Sequence, residues 1–142
     1  MRPLPPAPTV DIFLPSIKSH LTNYIFSTNF LVVRFLVADG VLHLDRPVNE
    51  VLQTWKVPDN EFTERTPVTL RHVISHQAGF TPFSYLIRRS DAFVPGMAEL
   101  LRGGTHDWPA VKVEFEPGSR HAYSNAGYCV LQLLLETRAH AG

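Results

Sequence analysis

The stretch EPGSRHAYSNAGYCVLQLLLE, residues 116–136, decides the fold, because a Pro-Gly turn, a polar motif and a long apolar run follow one another there. The apolar positions recur at helical spacing and predict a buried helix over residues 127–139. Tyr123, Ser124 and Asn125 lie between the turn and this helix. The chemistry of the protein therefore depends on whether these three residues only begin a helix or also form part of a site.

Two interpretations of the Tyr123-Ser124-Asn125 motif are open from local reasoning. If the stretch is extended, Tyr123 and Asn125 point to the same side and can enter one pocket. A phenol can act as a general base where nearby cations favour its ionised form, and a carboxamide can orient a substrate carbonyl. Alternatively, Ser124 or Asn125 caps the helix and Tyr123 packs against its surroundings, which is the simpler explanation from the residues alone.

Three further segments in the second half of the chain carry clear structural patterns. In TPVTLRHVISHQAGF, residues 66–80, Thr69 can cap a helix, and Gly79 stands where a left-handed C-terminal residue is needed. GMAELLRGG, residues 96–104, predicts a short helix that its two final glycines end. VKVEFE, residues 111–116, alternates apolar and polar side chains and predicts a strand.

The N-terminal half predicts a proline-rich arm followed by helices. Residues 1–20 contain prolines that remove backbone donors, and we expect a disordered arm there. The sequence predicts a helix over residues 30–39 that ends at Gly40. Its own side chains are apolar on nearly all sides, so we expect that helix to be buried. A short extended piece is expected at residues 41–45, and apolar spacing predicts one short helix over residues 48–57.

Composition indicates one globular domain and bears on its partners. The 142 residues are 44% apolar and have zero formal net charge, so no basic field exists to hold nucleic acid or an anionic membrane. We expect no membrane span, because the apolar stretches are too short. Prolines interrupt the N-terminus where a secretory signal needs an apolar core, so we expect a cytoplasmic chain by default. Cys129, the single cysteine, is expected to be a core residue.

The seven histidines suggest metal binding as a further possibility. His72 and His76 would share one face of a helix, but Val73 stands where a zinc-protease helix carries its glutamate. Helix packing and loop hydrogen bonding explain both histidines more simply. We therefore expect no metal and no cofactor.

The order of three segments resembles that in the beta-lactamase-related serine hydrolase family, which includes class C beta-lactamases, D-alanyl-D-alanine carboxypeptidases and esterases. The segments are DGVLHLDRPVNEVLQTW (39–55), PVTLRHVISHQAGF (67–80) and EPGSRHAYSNAGYCVLQLLLE (116–136). The resemblance extends from about Leu31 to Glu136, and the spacing of the segments is family-like. It implies that Tyr123 acts as a base shared with a lysine and that Asn125 orients the substrate.

The chain departs from this family at the nucleophile. In the family a Ser-x-x-Lys motif opens the buried helix, and counting back from Gly40 places its serine near Asn23 and its lysine near Phe26. The sequence there is NYIF, the nearby STNF has Phe30 in place of the lysine, and PSIKS upstream has the wrong spacing. The terminal HAG is similar to the family's third catalytic triplet in spelling only.

The resemblance implies a mostly α fold with a few short strands. This corresponds to the helical lobe of a beta-lactamase/transpeptidase-like α/β fold whose main sheet is largely absent. We expect residues 1–20 to form the arm and residues 21–142 a partial, truncated domain.

The expected function is acyl-serine hydrolysis of a small-molecule or peptide substrate (an ester, amide or beta-lactam). The chain alone is expected to be inactive without Ser-x-x-Lys. The alternative is a non-catalytic descendant that binds peptides or proteins. Tyr123 and Asn125 are the expected site residues, and the oligomeric state is left open.

Overall fold

The computed structural model describes residues 22–82, 96–103 and 109–141. Within these ranges the chain forms five α-helices. They are α1 (Thr22–Ala38), α2 (Glu61–Arg65), α3 (Leu70–Ile74), α4 (Met97–Arg102) and α5 (Asn125–His140), and a 3-10 turn covers Val48–Glu50. Extended pairing within these ranges is limited to two isolated antiparallel bridges, Pro47–Thr69 and Phe80–Val113. The prediction of a mostly α fold without a main sheet is therefore confirmed for the described ranges.

Helix α5 lies at the centre of the core, because apolar residues cover almost its whole circumference. It contacts α1, α3 and α4. Five of its residues are at most 3% exposed: Ala126, Cys129, Val130, Leu131 and Leu134. The predicted buried helix over residues 127–139 is confirmed, and Cys129 is a core residue as expected.

From residue 29 onward, helix α1 is buried on one side only, which corrects the expectation of a helix covered all round. Val33 is 1% exposed and belongs to the core, whereas Phe35 is 69% exposed. Asn29 lies on the buried side and donates a hydrogen bond from Nδ2 to Oε1 of Gln132 at 3.1 Å. The apolar sequence of α1 leads to burial only on the side that faces α5, which supplies its main helix contact.

Helix α3 begins where the sequence predicts but ends earlier. The Thr69 side chain accepts a hydrogen bond from the His72 N–H, and His72 Nδ1 accepts one from the Thr69 N–H at 3.1 Å. The helix ends at Ile74, and His76 then adopts φ 55°, in the left-handed region that non-glycine residues rarely occupy. Gly79 has φ 78°, as its predicted role requires, but in the turn that follows the helix.

The segment over residues 111–116 packs against the turn at Gly79. Its apolar residues are buried or half-buried and its first two polar residues are exposed, in agreement with the predicted alternation. The Gly79 carbonyl accepts a hydrogen bond from the Glu114 N–H at 2.7 Å, and a Cβ at position 79 would lie 2.6 Å from the Phe115 carbonyl oxygen. Only glycine fits this close approach. The predicted strand is reduced to a single bridge, between Val113 and Phe80.

Two predictions for residues 41–57 are wrong. Residues 41–45 form bends and a turn instead of an extended piece, because the N–H groups of residues 41 and 42 bond to the Leu36 carbonyl at 2.8 and 3.1 Å. Helical structure within residues 48–57 is limited to the 3-10 turn at Val48–Glu50. The Asn49 side chain bonds the carbonyl and N–H of Val57 at 2.9 and 2.8 Å, which closes a loop where the predicted helix would continue.

The remaining predictions concern the ends of the chain and the short fourth helix. Helix α4 confirms the helix predicted from GMAELLRGG, and Gly103 follows it with φ 70°. The arm expected at residues 1–20 lies outside the described residues, and the domain expected over residues 21–142 stays a prediction. None of the described helices combines the length and the hydropathy that a bilayer crossing requires.

Candidate functional site at the start of α5

Tyr123 and Asn125 lie side by side where α5 begins. The Tyr123 hydroxyl donates a hydrogen bond to Asn125 Oδ1 at 2.9 Å. Tyr123 is 57% exposed, and Asn125, the first residue of the helix, is half-buried. The structure therefore brings together the two residues that the sequence predicts as the site, with a phenol and a carboxamide in direct contact near solvent.

Ser124, between these two residues, holds the end of the helix. It is 5% exposed, and its hydroxyl accepts a hydrogen bond from the Ala126 N–H at 3.2 Å. The same hydroxyl donates to the Thr81 carbonyl at 3.2 Å. The two interpretations of the motif are therefore compatible, because Ser124 caps α5 while its neighbours bond to each other.

His76, in the turn after α3, braces the motif through both its backbone and its ring. Its carbonyl accepts a hydrogen bond from the Ala122 N–H at 2.8 Å, and its Nδ1 accepts a long one from the Ser124 N–H at 3.5 Å. The imidazole is tilted against the Tyr123 ring, with centroids 4.7 Å apart. Its Nε2 lies 3.3 Å from the Tyr128 hydroxyl. One residue thus contacts the motif and the second turn of α5.

The electrostatics around His76 favour neutral groups. The rings of His121 and Tyr128 both meet the imidazole edge-on, with centroids 5.7 and 5.3 Å away. Burial lowers the pKa of His76, and the nearby His121 lowers it further. Burial also raises the pKa of the Tyr128 hydroxyl, and Tyr123 adds to that effect. At neutral pH the site therefore holds an uncharged imidazole next to an uncharged phenol at Tyr128.

The geometry does not support metal binding by His72 and His76. Helix α3 ends before His76, so the two histidines do not share a helical face, and His72 is engaged in capping α3. Among the described residues, no group of three or more His, Cys, Asp or Glu side chains is placed to hold a metal ion.

Cys129 and the position expected for the family's serine are the two places to examine for a nucleophile. Burial raises the pKa of the Cys129 thiol to about 12, so this residue does not supply a thiolate at neutral pH. Residues 23–26, where the family resemblance places Ser-x-x-Lys, lie in the first turns of α1 and read NYIF. The Ser-x-x-Lys pattern occurs nowhere in the sequence.

Comparison with known proteins identifies the family. The family model described as Beta-lactamase matches residues 30–142 of the 142-residue chain. This range includes all three segments that carry the resemblance in the sequence, and the chain belongs to the beta-lactamase family. Its described helices are consistent with the helical portion of that fold. No curated protein matches the chain closely enough to count as a relative.

Sequence reasoning missed three residues around the motif. Helix packing and loop hydrogen bonding are what the sequence predicts for His76, without a partner. Because 48 positions separate it from Ser124, nothing local signals their contact. Tyr128 has a local signal, because it follows Asn125 by three residues and lies on the same helix face. His121 precedes Tyr123 by two residues, which in an extended stretch places both side chains on one side.

Proposed function

We propose that this chain supplies the Tyr-x-Asn part of a beta-lactamase-related serine hydrolase site. The substrate class is a small molecule or peptide with an ester, amide or beta-lactam carbonyl, hydrolysed through an acyl-serine. The observation that carries this proposal is the 2.9 Å hydrogen bond between Tyr123 and Asn125 at the exposed start of α5, in a chain of this family. Because Asn125 Oδ1 accepts a hydrogen bond from the Tyr123 hydroxyl, Asn125 Nδ2 is the group that donates to a substrate carbonyl.

The chain alone is proposed not to carry out acylation. A serine hydroxyl is a weak nucleophile without an adjacent base, and the family's Ser-x-x-Lys pattern is missing from the sequence. Ser124, the serine next to Tyr123, cannot replace it, because it is buried and both hydrogen bonds of its hydroxyl serve the fold.

The first experiment exposes the purified chain to a fluorophosphonate and to a penicillin-based acyl trap, with intact mass as the measurement. The expected result is no covalent adduct with either reagent. An adduct that peptide mapping places on a serine would overturn the proposal that the chain alone is inactive.

The second experiment tests the substrate role of the site separately from acylation. Benzylpenicillin is titrated into labelled protein while the Tyr123 ring and Asn125 carboxamide signals are followed by NMR. Both signals are expected to shift, and the Asn125→Ala variant is expected to lose the Tyr123 response. Gln53→Ala, which removes an exposed carboxamide elsewhere, is the matched control and should keep it. Signals that do not move at any penicillin concentration would contradict the substrate role.

A non-catalytic binding function is the second candidate, and one observation favours it. Within the described ranges every buried side-chain nitrogen and oxygen has a hydrogen-bond partner, so no buried polar side chain there requires a partner from outside these ranges. This candidate predicts a monomer with dispersed NMR signals that binds peptides without hydrolysing them. A molten or aggregating preparation would count against it.

A further inference from the structure

We propose that His76 is a positioning residue for the Tyr123–Asn125 pair, and that its imidazole holds the pair only in the neutral form with the proton on Nε2. The inference rests on the proposed function for its catalytic meaning, because it concerns the same site. It adds a residue from a distant part of the chain and a protonation state that the site requires.

His76 lies against the backbone on both sides of Tyr123. The peptide N–H groups of the residues on either side, Ala122 and Ser124, both donate to His76, at 2.8 Å to its carbonyl and 3.5 Å to its Nδ1. The Tyr123 ring lies against the same imidazole at a centroid distance of 4.7 Å. Tyr123 is thus held from both flanks and on one ring face by a single residue, which leaves its hydroxyl directed to Asn125.

The hydrogen bonds of the His76 imidazole determine which of its two nitrogens carries the proton. A backbone N–H can only donate, so Nδ1 of His76 must be the acceptor of the Ser124 contact and carries no proton. In the neutral imidazole the proton then resides on Nε2, which donates to the Tyr128 hydroxyl oxygen at 3.3 Å. Protonation of His76 would place a hydrogen on Nδ1, directly opposite the Ser124 N–H, and would convert that contact from attraction to repulsion.

The groups that surround His76 set the pH range of this effect. The titratable side chains that face it are His121 and Tyr123 from the segment before α5 and Tyr128 from α5 itself. Burial and the neighbouring His121 both oppose a positive charge on His76 and lower its pKa. Loosening of the site is therefore expected at mildly acidic pH, below the usual histidine value of about 6.5.

Two substitutions separate the contributions of the acceptor and the ring. His76→Asn keeps a hydrogen-bond acceptor at the position of Nδ1 and does not titrate, and asparagine tolerates the left-handed backbone at φ 55°. His76→Phe keeps an aromatic ring against Tyr123 but has no acceptor for the Ser124 N–H. Both variants remove the titration at position 76, but only His76→Asn is expected to keep the neutral-pH geometry of the site. A residue that only fills space against the Tyr123 ring would give the opposite order, with His76→Phe the milder change.

The test is an NMR titration from neutral to mildly acidic pH that follows His76, the Tyr123 ring and the Asn125 carboxamide. In the unmodified chain all three are expected to shift with one common midpoint. His76→Asn should keep the neutral-pH shifts of Tyr123 and Asn125 but lose their inflection. His76→Phe should alter those shifts already at neutral pH. His121→Asn serves as the control that removes the neighbouring imidazole, and it should leave the common midpoint visible.

Two results would overturn the inference. One is a titration of His76 in the unmodified chain that leaves Tyr123 and Asn125 unmoved, and this result needs no variant to fold. The other is an inflection at Asn125 that persists in His76→Asn. Failure of the proposed function is distinguishable, because it shows as absent penicillin responses at neutral pH while the common midpoint with His76 is still observed.

Discussion

Ser124 and Tyr123 are adjacent in sequence, but the fold depends on only one of them. The hydroxyl of Ser124 caps α5 and bonds the Thr81 carbonyl from a buried position. The hydroxyl of Tyr123 bonds Asn125 from a residue that is 57% exposed. A motif of three residues thus divides into a structural residue at its centre and, on either side of it, the two residues proposed to form the site.

This division predicts unequal stability effects. Ser124→Ala is expected to lower the free energy of unfolding by about 1–2 kcal/mol, because it removes a helix cap and leaves a carbonyl without its donor. Tyr123→Phe is expected to change it by less than about 0.5 kcal/mol, since an exposed hydroxyl exchanges its partner for water. Urea unfolding of both variants provides the comparison. Equal losses would show that Tyr123 is structural as well.

The sequence predicts the Tyr123–Asn125 pair but not its support, for a physical reason. The pair depends on alternation over two residues of extended backbone, which a local pattern specifies. The contact with His76 depends on how a turn after α3 packs against α5, which no local pattern specifies. The same limit explains why the sequence predicts helix packing or loop hydrogen bonding for His76 but not its contact with the motif.

At the scale of helices, α1 and α5 are joined by a buried pair of carboxamides. Asn29 Nδ2 donates to Gln132 Oε1 at 3.1 Å, and Gln132 Nε2 donates to Glu136 at 3.0 Å. Both members of the pair are at most 7% exposed, so water does not readily replace the bond between Asn29 Nδ2 and Gln132 Oε1.

We predict that Asn29→Ala destabilises the protein by about 1–3 kcal/mol, because it leaves a buried acceptor unpaired. The double variant Asn29→Leu, Gln132→Leu should recover most of that loss, since both polar partners leave together. The measurement is a double-mutant cycle in urea made of Asn29→Leu, Gln132→Leu and their double variant, with Asn29→Ala measured beside it. Additive losses across the cycle would mean that the two side chains do not interact in solution.

The glycines of two turns provide a second comparison between elements. Gly40 and Gly79 have φ 72° and 78°, so alanine strains the backbone equally at both positions. A Cβ at Gly40 meets nothing within 4 Å, whereas one at Gly79 meets the Phe115 carbonyl oxygen at 2.6 Å.

The expected cost of Gly40→Ala is therefore about 1–2 kcal/mol from the left-handed backbone alone. Gly79→Ala should cost about 1–3 kcal/mol more, because the segment over residues 111–116 must move away. Thermal unfolding of the two variants measures the difference. Similar melting temperatures would contradict the close contact at position 79.

The start of α3 was predictable, whereas α1 begins at Thr22 instead of near residue 30 and α2, Glu61–Arg65, was not predicted. Thr69 marks the start of α3 because a side-chain cap is a local interaction. The exposed side of α1 was not predictable, since an apolar surface such as that of Phe35 specifies a preference for burial but not the element that covers it. The 3-10 turn in place of a longer helix likewise reflects the bond between Asn49 and Val57, which forms only in the folded loop.

For the molecule as a whole, two histidines make stability depend on pH. Burial is the main cause that lowers the pKa of both His72 and His76 in the folded state. The folded protein then binds fewer protons than the unfolded chain does. Stability is fully present above the unfolded pKa of about 6.5 and is lost as the pH falls through it toward the lower folded values.

The melting temperature is therefore expected to fall between neutral and mildly acidic pH. His76→Asn should show a shallower fall, because one of the two linked protons is removed. His140→Asn is the matched control, since that histidine is exposed at the end of α5. A His76→Asn profile as steep as that of the unmodified chain would exclude this linkage.

The central position of α5 also determines how the site is lost. Because α5 contacts α1, α3 and α4, we expect the amide hydrogens of its buried part to reach solvent only when contacts with several helices fail together. The Tyr123–Asn125 corner is attached to the first turn of this most protected helix. Slow amide exchange in α5 would thus mark the site as part of the last cooperative unit to open, so that partial unfolding elsewhere leaves its geometry in place.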